Sequence, residues 1–110
     1  VDEGHHNFHT IEGRYSTFAK ILRLDGYVVN PHKSRFTPES IRNADVLVIA
    51  NALHENNLTR WVKPVYPAFT DEEISLLKNW VENGGSLFLV ADHMPFPGAQ
   101  IKNIFPKFPL

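Results

Sequence analysis

Two continuous apolar runs dominate the pattern of the chain. Residues 44–52 read ADVLVIANA and residues 86–91 read SLFLVA, and neither run alternates apolar with polar positions. A strand without such alternation is buried on both faces, which is typical of a parallel sheet. A shorter run, GYVVNP at residues 26–31, predicts a third strand. Val1 and Asp2 suit the last residues of a partial fourth strand.

Helical patterns lie between these strands. Over residues 11–24 the apolar positions fall at spacings of four, three and four, which predicts an amphipathic helix. These positions are Ile11, Tyr15, Phe18 and Leu22. A short helix is predicted after Thr37, which suits an N-cap and is followed by Pro38 in the first turn.

The clearest helix follows Thr70. Thr70 and Glu73 have the spacing of a capping box, and Gly84 is the residue type that ends helices in the left-handed conformation. One face of this helix is apolar at helical spacing. Its members are Ile74, Leu77, Trp80 and Val81. Helices that alternate with strands in this way predict an α/β fold with a parallel sheet.

The length of 110 residues predicts a single domain over residues 1–110. Residues 53–69 form its one long connection, and residues 98–105 are predicted as a short helix in a proline-rich tail. With three clear strands and part of a fourth, the sheet looks cut at both ends, so a partial domain is one interpretation. Because exposed sheet edges invite pairing, we expect a homo-oligomer, a dimer formed through these edges.

Composition excludes several classes of function. The net charge of −1 gives no electrostatic footprint for nucleic acid or for an anionic membrane, and we expect neither as a partner. The sequence has no cysteine, which excludes thiolate metal sites and a cysteine nucleophile within it. The compartment stays open: cytoplasmic, or periplasmic if a signal peptide has been removed.

Polar residues collect where the predicted strands end. In open parallel sheets, ligands bind beyond the carboxyl ends of the strands, so we expect these side chains at one rim. They are Asp2, Glu3, His5, His6, Asn7, His9, His32, Asn51, His54, Glu55, Asp92 and His93. The candidate residues for binding a small polar ligand are His5, His6, Asn7, Asn51 and His54.

Two chemistries are open at this rim. His5, His9 and His93 are candidate ligands for a divalent metal such as zinc, although no HExxH motif is present. Asp92 and His93, with Glu3, are candidates for acid–base catalysis, since histidine titrates near neutral pH. The plainer interpretation is that polar loops occur at the rim of any α/β domain, where Asp and Asn often cap helices. No cofactor is indicated with certainty, because Walker A and GxGxxG motifs are missing from the sequence.

The stretch FTDEEISLLKNWVENGGSLFLVADH resembles the class I glutamine amidotransferase-like superfamily. The resemblance is closest to its non-classical members, the trehalose-utilisation (ThuA-like) proteins and related uncharacterised domains. It extends to DVLVIAN and to the opening DEGHHNFHT, and covers most of residues 1–99. It implies a flavodoxin-like three-layer sandwich with a small, mainly parallel sheet.

The same resemblance argues against the family's activity. Amidotransferases place a cysteine after the strand that is here SLFLVA, whereas this chain has Asp92 and His93 there and no cysteine at all. The family's later catalytic histidine and acid would fall beyond residue 110, which suggests a truncated version. Three functions follow as alternatives: a ligand- or metal-binding domain without amidotransferase activity, a hydrolase that uses Asp92 and His93, and an assembly domain with a vestigial cleft.

Overall fold

The computed structural model describes residues 1–104, with the backbone alone for residues 101–103. Its sheet has two parallel strands, β1 (Val46–Ala50) and β2 (Ser86–Val90). Their register runs from Val46 opposite Ser86 to Ala50 opposite Val90. The strands predicted within 44–52 and 86–91, and their parallel pairing, are confirmed. The fold is a mixed helix and strand arrangement of the α/β type.

The prediction of a strand over residues 26–31 is wrong. This segment forms no ladder, and only an isolated parallel bridge joins Asp2 to His32. Tyr27 and Val28 are 53% and 87% exposed, and only Val29 of the apolar run is half-buried. A β-strand is stabilised by its side-chain neighbours more than by intrinsic preference, and Tyr27 and Val28 have few of them.

The first three residues nevertheless occupy a position beside β1. The N–H of Asp2 donates to the carbonyl of Val48 at 2.8 Å, and the N–H of Glu3 donates to the carbonyl of His32 at 2.8 Å. The N–H of His32 donates back to Val1 at 2.8 Å. The chain start therefore lies between the segment ending at His32 and β1, as the interpretation of Val1 and Asp2 as strand residues anticipated.

Helices form at each of the predicted positions, but the first is shorter than predicted. α1 spans only Ser16–Leu24, because residues 11–15 form turns in which the carbonyl of Thr10 accepts the N–H groups of Gly13 and Tyr15. α2 (Pro38–Ile41) is capped by Thr37. A 3₁₀ turn at Glu55–Asn57 is the one helical element within the connection 53–69.

α3 (Asp71–Glu82) has both halves of the predicted capping box. The hydroxyl of Thr70 accepts the N–H of Glu73 at 3.2 Å, and the carboxylate of Glu73 accepts the N–H of Thr70 at 2.9 Å. The helix ends as predicted, with Gly84 at φ +104° and its N–H donating to the carbonyl of Val81.

One face of the sheet carries the core. Ile49 from β1 is fully buried, and it belongs to the same cluster as Ile74 and Leu77 from α3. The other face is open in part, with Val46 47% and Phe88 52% exposed. The prediction that β2 is buried on both faces is therefore wrong.

α4 (Phe96–Ile104) closes the carboxyl ends of both strands. Gln100 is fully buried; its amide donates to the carbonyl of Val90 at 2.9 Å, and its oxygen accepts the N–H of Ala52. The helix predicted over 98–105 exists but begins two residues earlier, and residue 105 lies outside the described residues. Across residues 1–104, no helix combines the length and apolar character needed to span a membrane.

Candidate functional site

Most of the polar residues predicted at the rim fall into two groups. One group surrounds His5, at the chain start, and reaches the first turn of α3. The other surrounds Asn51, the first residue after β1, and Asp92, the second residue after β2. Asn7 contacts the end of β1, since its amide donates to the carbonyl of Ala50 at 3.1 Å.

His5 is the centre of a buried charged network. Its side chain is 2% exposed and lies between two carboxylates, with Nδ1 2.9 Å from Asp2 Oδ1 and Nε2 2.8 Å from Glu73 Oε1. Ionised carboxylates only accept hydrogen bonds, so both ring nitrogens must carry hydrogen to satisfy both contacts. With both carboxylates ionised, the geometry suits an imidazolium cation between two anions.

The pKa shifts agree with that assignment. Burial alone would lower the pKa of His5, but the hydrogen bonds and negative charges of Asp2 and Glu73 outweigh burial and raise it. Burial alone would raise the pKa of Glu73. The Thr70 N–H, the bond and charge of His5, and the Phe36 N–H together lower it instead.

Arg35 completes the charge balance of this network. One guanidinium nitrogen lies 3.1 Å from Glu73 Oε2, while the Arg35 side chain remains 65% exposed. Two carboxylates, Asp2 and Glu73, thus face two cations, His5 and Arg35. Compensation of this kind is needed because an unpaired buried charge is costly. The network ties the chain start to α3, and its main effect is on the fold.

A small polar pocket opens beside this network. Its volume is about 80 Å³, and three histidines and Arg35 contribute to its wall. These histidines are His5, His6 and His54, which are three of the five ligand-binding candidates. Glu55 adds a carboxylate, so the wall offers both hydrogen-bond donors and an acceptor.

The second group is arranged by Asn51. Asn51 has φ +52°, a left-handed conformation that Asn tolerates better than most residues. Its oxygen accepts the N–H of Asp92 at 3.2 Å, and its nitrogen lies 3.4 Å from His9 Nδ1. Asn51 therefore brings the segment after β2 close to His9, as the rim prediction expected.

Asp92 and His93 form an exposed pair. His93 Nδ1 lies 2.7 Å from Asp92 Oδ1, and the two side chains are 59% and 53% exposed. Desolvation alone would raise the pKa of Asp92, but the hydrogen bond and charge of His93 lower it. The negative charge of Asp92 also reaches Tyr15, whose pKa is raised mainly by desolvation and further by this charge.

The environment of His9 favours the neutral imidazole, whereas that of His5 favours the cation. Desolvation and the positive charge of Arg14 lower the pKa of His9, although Asp92 opposes them. The ring of His9 packs against Tyr15 with centroids 4.8 Å apart. His9 is therefore held as a neutral imidazole beside a carboxylate, while His5 is held as a cation.

The predicted metal set does not converge. Within residues 1–104, no three His, Asp or Glu side chains are placed to hold one ion together. His5, His9 and His93 accordingly form no such group, and both ring nitrogens of His5 already contact carboxylates. The spacing of His5 and His9 would place both rings on one face of a helix, but the first helix begins at Ser16.

Glu3 is not placed as the predicted catalytic partner. Its carboxylate accepts the N–H of Ile11 at 2.7 Å. No hydrogen bond or ion pair among the described residues joins it to Asp92 or His93. His32 stands apart from both groups: its two ring nitrogens are buried with no hydrogen-bond partner in residues 1–104, and its ring packs 5.1 Å from Phe36.

Sequence reasoning missed three residues at these sites. Glu73 was assigned only as a helix cap, Arg35 carried no pattern at all, and Trp61 lay in an unassigned loop. Trp61 is 44% exposed and packs 5.8 Å from the ring of His93. Only Glu73 gave a signal in the sequence, its capping-box spacing, and that signal pointed to a different role.

Comparison of the chain with protein-family models, with curated proteins and with solved structures gave no match.

Proposed function

We propose that this chain binds a small polar ligand in the pocket beside the His5 network. The observation that carries the proposal is the convergence of His6, His54 and Arg35 on one polar cavity. These residues come from three separate segments of the chain. Binding sites typically place a few convergent polar groups in a preformed concavity, and the buried network holds this one in shape.

The wall indicates the chemistry of the ligand. Arg35 and the imidazoles of His6 and His54 are donors, while Glu55 is an acceptor. The charges of Arg35 and Glu73 already compensate each other, so a strongly charged ligand gains little here. A hydroxyl-bearing molecule, such as a polyol or one end of a sugar, matches these groups best. The volume of about 80 Å³ limits the bound part to a small fragment.

Histidine side-chain NMR tests this proposal. Titration with glycerol and with glucose should shift the ring signals of His6 and His54 in a saturable way, and leave those of His93 unchanged. His54→Asn keeps an acceptor for the N–H of Asn56, which His54 Nδ1 now caps at 3.1 Å, while it removes the imidazole. His6 shifts in this variant as large as those in wild type would contradict the proposal. So would shifts at His93 as large as those at His6.

Acid–base hydrolysis at Asp92 and His93 is the second candidate. The carboxylate of Asp92 holds His93 through Nδ1 at 2.7 Å, which leaves Nε2 to exchange a proton with a substrate. A base oriented by a carboxylate is the arrangement that many hydrolases use. Hydrolysis of p-nitrophenyl acetate by wild type and by His93→Gln, with His6→Gln as the control, tests it. Equal rates in all three proteins would exclude this role.

We further propose that the fold is flavodoxin-like and related to the amidotransferase-like superfamily. Support comes from the position of the chain start, which lies between the segment at His32 and β1, with β2 beyond β1. That spatial order, second segment, first segment, β1 and β2, is the order 2-1-3-4 of flavodoxin-like sheets. A solution structure that showed residues 1–3 detached from β1 would count against it.

A further inference from the structure

A second and larger pocket lies in the connection between the 3₁₀ turn and α3. Its volume is about 280 Å³, close to the lower end of the range for small-molecule sites. Asn56, Arg60, Lys63 and Tyr66 contribute to its wall. None of these residues belongs to the pocket of the proposed function, so the two cavities can be tested separately.

The loop around this pocket is held by one buried side chain. Asn57 is 1% exposed, and its amide nitrogen donates to the carbonyls of Arg60 at 3.0 Å and Pro64 at 3.1 Å. Its oxygen accepts the N–H of Tyr66 at 2.9 Å. All three bonds cross the loop that begins at Asn57. The pocket therefore has its shape before any ligand binds, which lowers the ordering cost of binding.

The wall of the pocket is positively charged. Arg60 and Lys63 are cations at neutral pH, and no Asp or Glu contributes to the wall. Within residues 1–104, neither Arg60 nor Lys63 takes part in an ion pair. The chain as a whole carries a net charge of −1, so this pair is a local feature and does not reflect a generally basic surface.

We propose that this pocket binds the phosphate group of a small phosphomonoester. A guanidinium and an ammonium group together match a dianion, and the Arg fork can contact two phosphate oxygens at once. The amide of Asn56 and the hydroxyl of Tyr66 supply further hydrogen bonds. The volume exceeds the need of a phosphate ion, which leaves room for the organic part of the ligand.

NMR titration of the ¹⁵N-labelled chain at constant ionic strength tests the assignment. Glycerol 3-phosphate should give saturable shifts at the amides of Val62 and Lys63, which line this pocket away from His54. Inorganic phosphate should bind more weakly, and glycerol should have no effect there. The double variant Arg60→Gln/Lys63→Gln should bind at least about tenfold more weakly. Arg14→Gln/Lys20→Gln removes the same charge from exposed positions elsewhere and should bind like wild type.

Three results would overturn the assignment. They are shifts that never saturate, an equal loss of binding in both double variants, and no shift at Val62 or Lys63 at millimolar glycerol 3-phosphate. Binding of inorganic phosphate as tight as that of glycerol 3-phosphate would reject the phosphomonoester. The amides of Gly4 and His6 report on the other pocket, so failure here and failure of the proposed function give different spectra.

Discussion

At the scale of single residues, His5 couples the stability of the fold to pH. Its pKa is raised, so its contribution to the free energy of unfolding is fully present below its ordinary value of 6.5 and is lost as pH rises through the raised value. The pKa of Glu73 is lowered, so its contribution is present above 4.5 and is lost as pH falls through the lowered value. The network is therefore most stabilising between these limits.

We expect His5→Gln to remove the alkaline loss of stability. Glutamine cannot carry a positive charge between Asp2 and Glu73, and breaking a buried charge pair costs about 3 to 5 kcal/mol. Urea unfolding between pH 5 and pH 9 measures the effect. His93→Gln, at an exposed position, serves as the control and should keep the wild-type profile. An unchanged pH profile in His5→Gln would show that the imidazolium does not carry this dependence.

At this scale, the sequence indicated which residues are important better than it indicated which residues they contact. The spacing of Thr70 and Glu73 indicated a capping box, which the structure confirms. That Glu73 also reaches His5, 68 positions away, is a property of the folded chain that no local pattern contains. Likewise, the histidine spacing suggested a metal site, whereas hydrogen bonds to two carboxylates decide what His5 does.

At the scale of elements, the first turn of α3 serves two purposes. Thr70 caps the helix, and the same carboxylate that closes the capping box anchors His5 and Arg35. The cap thus orients Glu73 for the charged network. A change in the cap should therefore affect both the helix and the network beside the proposed ligand pocket.

Thr70→Ala should lower the free energy of unfolding by about 1 kcal/mol through loss of the cap. We also expect a shift in the ring signals of His5, because Glu73 loses a neighbour that fixes its side chain. Chemical denaturation and histidine NMR measure the two effects. Thr37→Ala is the matched control, since the Thr37 hydroxyl caps the four-residue helix α2 and no hydrogen bond among the described residues joins it to Glu73. If the His5 ring signals were identical in both variants, the Thr70 cap would not be what orients Glu73 towards His5.

Elements with strong local signals were the predictable ones. α3 has a cap, an apolar face and a terminating glycine, and each of these depends on neighbours within a few residues. The run at 26–31 has apolar composition, but Val28 is 87% exposed and only Val29 is half-buried. Composition favours a strand there, but only tertiary packing decides whether it forms.

At the scale of the whole molecule, β2 lies at the edge of the described sheet. Phe88 projects from it and is 52% exposed, next to Val46 on the same face. An edge strand with exposed apolar residues invites pairing with another chain. We propose that copies of this chain associate through β2, the kind of sheet-edge pairing expected from the sequence.

Phe88→Lys should weaken that association. A charged residue on an edge strand opposes pairing with a second strand. Sedimentation velocity over a range of concentrations measures the change, and we expect at least about a tenfold rise in the dissociation constant. Val28→Lys alters an exposed apolar residue outside the sheet and should leave it unchanged. A wild-type protein that stays monomeric at all concentrations would contradict association through β2.

The parallel pairing of β1 and β2 was predictable at this scale, whereas the burial of β2 was not. Alternation of helices and strands indicated parallel pairing, because a helical crossover returns the chain in the same direction. Whether both faces of β2 are covered depends on what packs there, and the apolar run carries no information about that. The same apolar run is compatible with a buried strand and with an edge strand that pairs with another chain.

The position of the chain start has a kinetic consequence. Asp2 and Glu3 bond to Val48 and His32, so these contacts close long loops before they add any stability. α3, in contrast, can form from neighbouring residues alone. The entropy cost of closing these loops should therefore set the height of the folding barrier. Contacts between residues far apart in the sequence slow two-state folding. The His5 network, which needs the chain start and α3 together, would then assemble only after these loops have closed.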